Sequence, residues 1–259
     1  MLQPRIIPCL LIRNKGLVKT LKFKPYKYIG DPINAVKIFN EKDADELIVL
    51  DIDATSRSLE PDFSVIKKLA AECQMPLCYG GGIKTVKDAL NIIKLGVEKV
   101  AISSAFIKKH NLLSQIVKEV GSQSVVVVID VKKTLFGNYE VYIKNGNEGT
   151  GHSPMDLAKK AEEFGAGEVV INSINNDGVM NGYDLSLASE LRKSVNIPIS
   201  IMGGAGNLKH MEELIKICGV VGAIAGSFFI FKGPLRAVLI NYPSCSDKSK
   251  IFKDSAEIS

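Results

Sequence analysis

The segment Pro76-Leu77-Cys78-Tyr79-Gly80-Gly81-Gly82-Ile83 returns 122 residues later as Pro198-Ile199-Ser200-Ile201-Met202-Gly203-Gly204-Ala205-Gly206. The flanking sequence repeats with it. Ala44-Asp45-Glu46-Leu47-Ile48-Val49-Leu50 answers Ala166-Gly167-Glu168-Val169-Val170-Ile171-Asn172 at the same offset. Ile102-Ser103-Ser104-Ala105-Phe106 answers Ala225-Gly226-Ser227-Phe228-Phe229, one residue further apart. A period near half of a 259-residue chain points to two fused copies of one unit rather than to a stack of short repeats. Each copy ends two successive apolar runs in glycine or serine. What one half binds, the other half is equipped to bind.

Working outward from the repeat, short apolar runs alternate with amphipathic helical stretches. The runs are Arg5–Leu11, Glu46–Asp51, Leu77–Tyr79, Lys99–Ile102, Ser124–Asp130, Glu168–Asn172, Ile199–Ile201 and Ala223–Ala225. They are β-branched and apolar on both faces, as buried parallel strands are. Helical periodicity falls at Asp62–Glu72, Val86–Leu95, Asn111–Val120, Pro154–Phe164, Leu185–Val195 and Leu208–Ile217. This pattern predicts a single-domain α/β fold, a (β/α)8 TIM barrel built from two duplicated half-barrels of about residues 1–120 and 121–242. An open doubly wound sheet is the alternative, and the equal halves argue for the closed ring. Residues 243–259 read as a polar tail expected to fray.

Two connections are longer than α/β units usually need. Residues 12–31, after the first strand, carry Lys15, Lys19, Lys22, Lys24 and Lys27 among Phe23, Tyr26 and Tyr28. Residues 131–153, after the fifth, contain a small hairpin over Asn138–Lys144 with Asn145-Gly146 at its turn. Both leave the strand ends where barrels place their active sites.

Composition narrows the function. Apolar residues at 46% and charged residues at 24% are ordinary for a soluble protein. A formal charge of +5 suits anionic small molecules and is too thin for nucleic acid. The five cysteines lack CxxC spacing and only three histidines accompany them, so no metal and no other cofactor is expected. The first residues run straight into a strand without a leader pattern, and no apolar run has bilayer length. The expectation is a cytoplasmic protein that engages no membrane.

The chemistry-bearing residues gather at strand ends. Gly80-Gly81-Gly82 and Gly203-Gly204-Ala205-Gly206 follow one strand of each half, and Ser103-Ser104 and Gly226-Ser227 follow the next. Glycine lets the backbone approach an anion, and helix N-terminal amides donate to it. A lone cluster would only mark a turn, whereas two matched clusters point to a ligand with a phosphate at each end. Asp130 ends an otherwise apolar run, where a carboxylate faces the barrel mouth as a general acid or base. The plainer role is an ion pair with Lys132 or Lys133. Aligning the halves sets Leu11 opposite Asp130, so the proton-handling group exists in one copy only. Asp51, Asp53, Asn172, Asn175 and Asp177 end strands two and six and are equally suited to hydroxyl recognition or loop formation. Gly178, directly after Asp177, permits close approach of a phosphate. Arg5, Glu46, Lys99 and Glu168 open strands one, two, four and six, and can form a charged ring across the barrel floor, either a structural plug or a gate for something small.

Taken together, Arg5-Ile-Ile-Pro-Cys-Leu, Ala44-Asp45-Glu46-Leu47, Tyr79-Gly-Gly-Gly-Ile83, Gly121-Ser-Gln-Ser124, Val128-Ile-Asp130, Asp177-Gly178, Gly182-Tyr-Asp184 and Gly203-Gly-Ala-Gly206 resemble the HisF-type cyclase subunit of imidazole glycerol phosphate synthase. The resemblance spans Arg5 to about Phe231. It implies one phosphate at Gly82, Ser103 and Ser104 and the other at Gly178, Gly204, Gly226 and Ser227. It further implies a separate HisH-type glutaminase docked on the barrel floor, in a heterodimer. Ammonia would enter through a gate of Arg5, Glu46, Lys99 and Glu168, and the loop bearing Lys19 would close over substrate.

One departure bears on activity. The family ends strands one and five each in an aspartate, and here Leu11 takes the first place. Asn175 also stands where the family has aspartate. With Pro8-Cys-Leu-Leu11, Gly16-Leu-Val-Lys-Thr20 and Arg236-Ala-Val-Leu-Ile-Asn-Tyr-Pro243, the chain looks like a HisF paralogue. Such paralogues serve amidination of a sugar for bacterial surface polysaccharide, beside a glutaminase and a third amidotransferase-like protein. The alternatives are a genuine cyclase/lyase of histidine biosynthesis, and a non-catalytic, phosphate-binding ammonia conduit. A single-subunit sugar-phosphate isomerase would also want carboxylates on strands one and five, so Leu11 counts against it.

Overall fold

The apolar runs pair in chain order. β1 (Arg5–Arg13), β2 (Leu47–Asp51), β3 (Leu77–Gly80), β4 (Lys99–Ile102), β5 (Val125–Lys133), β6 (Glu168–Ser173), β7 (Ile199–Met202) and β8 (Gly222–Ala225) form one closed parallel ring. β8 closes on β1, with Arg5 opposite Gly222 and Pro8 opposite Ala225. The structure, a computed structural model, describes residues 3–134 and 136–256. The ring is a (β/α)8 barrel in a single domain.

Local chemistry sets the helix starts. α1 (Pro32–Glu41) follows Asp31, whose carboxylate accepts from Ile33 N, with proline in the first turn. α2 (Phe63–Glu72) is capped by Asp62, and α3 (Val86–Lys94) by a reciprocal box between Thr85 and Asp88. A short α4 (Ser104–Lys108) precedes α5 (His110–Val120). α6 (Pro154–Glu163), α7 (Leu185–Ser194) and α8 (Leu208–Cys218) start at Ser153, Asp184 and Asn207 caps. A short α9 (Ser227–Ile230) repeats α4 in the second half.

Because each strand is covered on both faces, the core has two layers. Outward residues such as Ile6, Leu10, Leu47, Val127 and Ile171 pack under the helices. Inward residues Ile7, Cys9, Ile48, Cys78, Ala101, Val126, Val128, Val170, Met202 and Ile224 fill the barrel. Cys9 and Cys78 are buried free thiols there, and burial pushes the Cys9 thiol up to about 11.

The sequence expectation needs correction at three places. The segment read as a frayed polar tail from 243 instead forms α10 (Cys245–Ala256), the eighth barrel helix. Its start is a capping box: Asp247 N donates to Ser244 Oγ and Ser244 N to Asp247 Oδ2. Ile251 buries one face, and Lys248 Nζ meets Asp45 Oδ1 at 2.6 Å. Residues 257–259 of that tail lie outside the described residues. The loop over 12–31 is an antiparallel hairpin, Gly16–Thr20 against Tyr26–Gly30, whose first strand pairs back onto Leu11–Arg13. β5 runs three residues past Asp130 and pairs with Tyr139–Ile143, so the hairpin expected after it is continuous with the barrel. Among the described residues no helix is long and apolar enough to cross a membrane.

Candidate active site

At the C-terminal ends of the strands lies a cavity of about 240 Å³ lined from both halves. It brings together Gly82, Ser103 and Ser104 from the first half with Asp130, Asp177, Gly178, Gly204, Gly226 and Ser227 from the second, and Lys19 from the hairpin above. The residues the sequence set apart for phosphate contact, with Asp130, therefore meet in one place.

The two glycine ends adopt matched backbones. Gly81 and Gly82 have φ of +113° and +77°, and Gly203 and Gly204 have +97° and +113°. At Gly204 a side chain would also collide with the Gly182 carbonyl, so only glycine serves. The next strand end repeats as well, with Ser103 at φ −127°, ψ −95° and Gly226 at φ −109°, ψ −71°. α4 and α9 start there without a side-chain cap, which leaves amides to receive an anion. Ser103 Oγ is buried without a hydrogen-bond partner, a donor in want of an acceptor.

The second glycine-bearing strand end differs in holding a cation. Lys19 is 4% exposed, and its Nζ donates to the Cys9 carbonyl at 2.5 Å. A Cβ at position 226 would stand 2.6 Å from that nitrogen, so glycine makes the room Lys19 occupies. Burial lowers the Lys19 pKa, with partial relief from Cys9 and Asp177. An anion bound beside it would add to the countercharge that Asp177 supplies.

Asp130 carries no ion pair with Lys132 or Lys133. Those lysines lie over the rings of Tyr142 and Tyr139. Its Oδ1 instead accepts from Asn172 Nδ2 at 2.9 Å. Burial raises Asp130 to about 6, against the lowering effect of that hydrogen bond. A carboxyl with this pKa can give or take a proton near neutrality. Across the ring on β1, Leu11 lines the same cavity beside Leu50 of β2.

The remaining polar candidates separate. Asp51 lines the cavity while its Oδ1 accepts from Asp53 N and Ala54 N, and burial raises its pKa. Asp53 turns away to Arg13 at 3.2 Å and Arg57 at 3.5 Å. Asn175 Oδ1 accepts from Lys133 N at 2.8 Å, a purely architectural contact. Asp177 Oδ2 accepts from Thr20 Oγ1 at 2.7 Å and Phe23 N at 3.1 Å, which holds the hairpin down over the mouth.

At the opposite end the four charged strand starts do form a ring. Arg5 pairs with Glu46 and, at 2.8 Å, with Glu168; Lys99 reaches Glu46 at 2.8 Å and Glu168 at 3.1 Å. Burial opposes the charges on Arg5 and Lys99, but the carboxylates outweigh it and raise both pKa values. Glu168 is held below the usual glutamate range because Arg5 and Lys99 overcome its burial. Sequence reasoning missed Ser200, fully buried, whose hydroxyl donates to Glu168 Oε1. The inward-facing register of β7 was the signal for it. Between ring and cavity the barrel is filled by the apolar inner layer. Among the described residues no His, Cys, Asp and Glu cluster is arranged to hold a metal.

A sequence profile for the family described as histidine biosynthesis protein matches residues 5–235. A Leptospira interrogans protein provisionally named imidazole glycerol phosphate synthase subunit HisF is 53% identical over 253 residues, covering 97% of this chain and 100% of its own. A Vibrio vulnificus protein, with the equally provisional name imidazole glycerol phosphate synthase subunit hisF3, is 53% identical over 254 residues, 98% of each chain. The imidazole glycerol phosphate synthase subunit HisF of Alkaliphilus metalliredigens is 38% identical over 229 residues, 88% of this chain and 91% of its own.

Proposed function

The chain belongs to the histidine biosynthesis protein family as a HisF-like member, and from that premise we propose that it is the ammonia-using subunit of a two-component glutamine amidotransferase. In this reading a HisH-type glutaminase docks on the floor and releases ammonia against the ring of Arg5, Glu46, Lys99 and Glu168. Neutral ammonia crosses the apolar layer, where a charged ammonium would pay a large desolvation penalty. At the mouth it meets a small molecule held by a phosphate at each end, with Asp130 placed to handle protons. What supports this reading is the order along the barrel of the charged floor ring, the apolar inner layer and the cavity lined from both halves at the strand ends.

The finer reading is a paralogue whose ammonia serves amidination of a sugar for bacterial surface polysaccharide, with a third amidotransferase-type protein as acceptor. Leu11 supports it. Removing one of two proton-handling groups costs about 10²–10⁴ in rate, so the family's ring-closing chemistry is the part of the function this chain is least equipped for. One observation favours the classical cyclase/lyase reaction instead. Asp51 lines the same cavity one register step from Leu11, with a pKa raised by burial, and is placed to stand in as the second acid.

Reconstitution separates the readings. The purified chain is combined with its glutaminase, glutamine and the bisphosphate precursor of imidazole glycerol phosphate. Glutamine turnover without imidazole product is the expected result. Product formed at the pace of glutamine use would establish the cyclase. Leu11→Asp is then expected to gain turnover if that residue alone blocks the reaction.

A further inference from the structure

Three hairpin tips stand at the rim of the mouth, and the segments that form them hold no acidic residue; Glu140, on the return strand of the second, lies opposite Lys132. Lys15–Gly30 carries Lys15, Lys19, Lys22, Lys24 and Lys27; Val131–Asn138 carries Lys132 and Lys133; Phe231–Pro243 carries Lys232 and Arg236. Lys19 turns inward and Lys15 pairs with Asp62, while the other seven cations are exposed. One short loop ties the three together. Lys133 N donates to Asn175 Oδ1, Lys22 N to the Asp177 carbonyl, and Arg236 Nη2 to the Gly178 carbonyl. They form one surface rather than three separate projections.

Large apolar side chains sit among these cations. Phe136 and Leu235, at two of the tips, are each 94% exposed, and Leu21, Tyr28, Val238 and Leu239 are exposed between them. Steering of a phosphorylated ligand explains cations at a mouth. It does not explain bare phenylalanine and leucine at hairpin tips. Exposed apolar groups rimmed by like charge mark a surface built to be covered.

We infer that this rim is the docking surface for a separate protein whose contact face is acidic around an apolar centre. The sign follows from complementarity, since a partner must answer seven exposed cations with anions. A lipid surface fits less well, because a flat bilayer on all three tips would close the cavity. A protein can instead set a cavity of its own against it. Leu11 also leaves the β1 side of the mouth without a carboxyl, and a covering protein can supply groups there. This last point rests on the ammonia-using reading; the docking surface itself does not.

The test places a photo-crosslinking residue at Phe136, at Leu235 and, as a floor control, at Val220, in the cells that make this protein. Captured proteins are identified by peptide mass, purified and titrated against the whole chain. The expected result is one and the same acidic protein from both tips. Its affinity should fall at least about tenfold in the Phe136→Ser/Leu235→Ser double variant, and again between about 0.05 and about 0.3 M salt. No capture, different proteins at the two tips, a second copy of this chain or salt-independent binding would overturn the inference. So would flotation of the purified chain with phosphatidylethanolamine/phosphatidylglycerol vesicles that the double variant loses. Absence of a glutaminase at Val220, with the tip partner retained, would sink the ammonia-using reading alone.

Discussion

Asp130 and Leu11 face one another across the mouth, and the difference between them governs what the site can do. With its pKa near 6, Asp130 shifts from acid to base across the neutral range. Where it acts as base, turnover should rise with pH through about 6, and Asp130→Asn should remove that limb and cost about 10²–10⁴ in kcat. A kcat–pH profile checks both. The same shift has a stability consequence of known sign. The folded state keeps the proton to higher pH than the unfolded chain, whose aspartate titrates near 3.8, so ionising Asp130 lowers stability as pH climbs from about 4 to about 6. Asp130→Asn should therefore gain on the wild type above pH 6, with the gain fading by pH 4, as read from Tm. At the second grip, Gly226→Ala would push a methyl toward Lys19 Nζ. It should weaken inorganic phosphate binding there, measured by titration, and a wild-type affinity would show that Lys19 is not part of the grip.

At the scale of elements, α10 was hidden and the barrel strands were not. Strands buried on both faces read as unbroken apolar runs, and the repeat exposed each one twice. Among its described side chains α10 instead offers Ile251 and Phe252 to the core, and its polar composition reads as tail. Its signal was the Ser244-x-x-Asp247 box. Ser244→Ala should cost about 1 kcal/mol and Ile251→Ala about 2–5 kcal/mol in urea unfolding; no loss from either would mean that α10 contributes nothing to the fold. The hairpin over the mouth was hidden for another reason. Its tip turns on positive φ at Lys22 and Phe23, residues that carry no turn signature. The Asp130–Asn172 hydrogen bond joins residues 42 apart in sequence, and only the β5–β6 register brings them together.

At the scale of the molecule, the two ends of the barrel are built for different tasks on one duplicated frame. The floor is a closed ring of alternating charge. Arg5 and Lys99 hold Glu168 below 4.5 in spite of its burial, so its share of stability is complete above that pH and is lost as pH falls through the lowered value. Stability curves of wild type and Glu168→Gln should lie a constant distance apart above pH 4.5 and close as pH falls below it; a gap that stays unchanged into acid would deny the ring that role. The mouth is where the duplication was most legible, because glycine at a positive φ leaves a mark in sequence that a paired side chain does not. If both halves grip one ligand, binding the first phosphate raises the effective concentration of the second. The direct measurement is calorimetric titration of the chain alone with the bisphosphate precursor and with fragments bearing one phosphate each. The expected result is one bisphosphate per chain, bound about 10²-fold or more tighter than either fragment. Equal affinities for bisphosphate and fragments, or two bisphosphates per chain, would contradict the two-grip site.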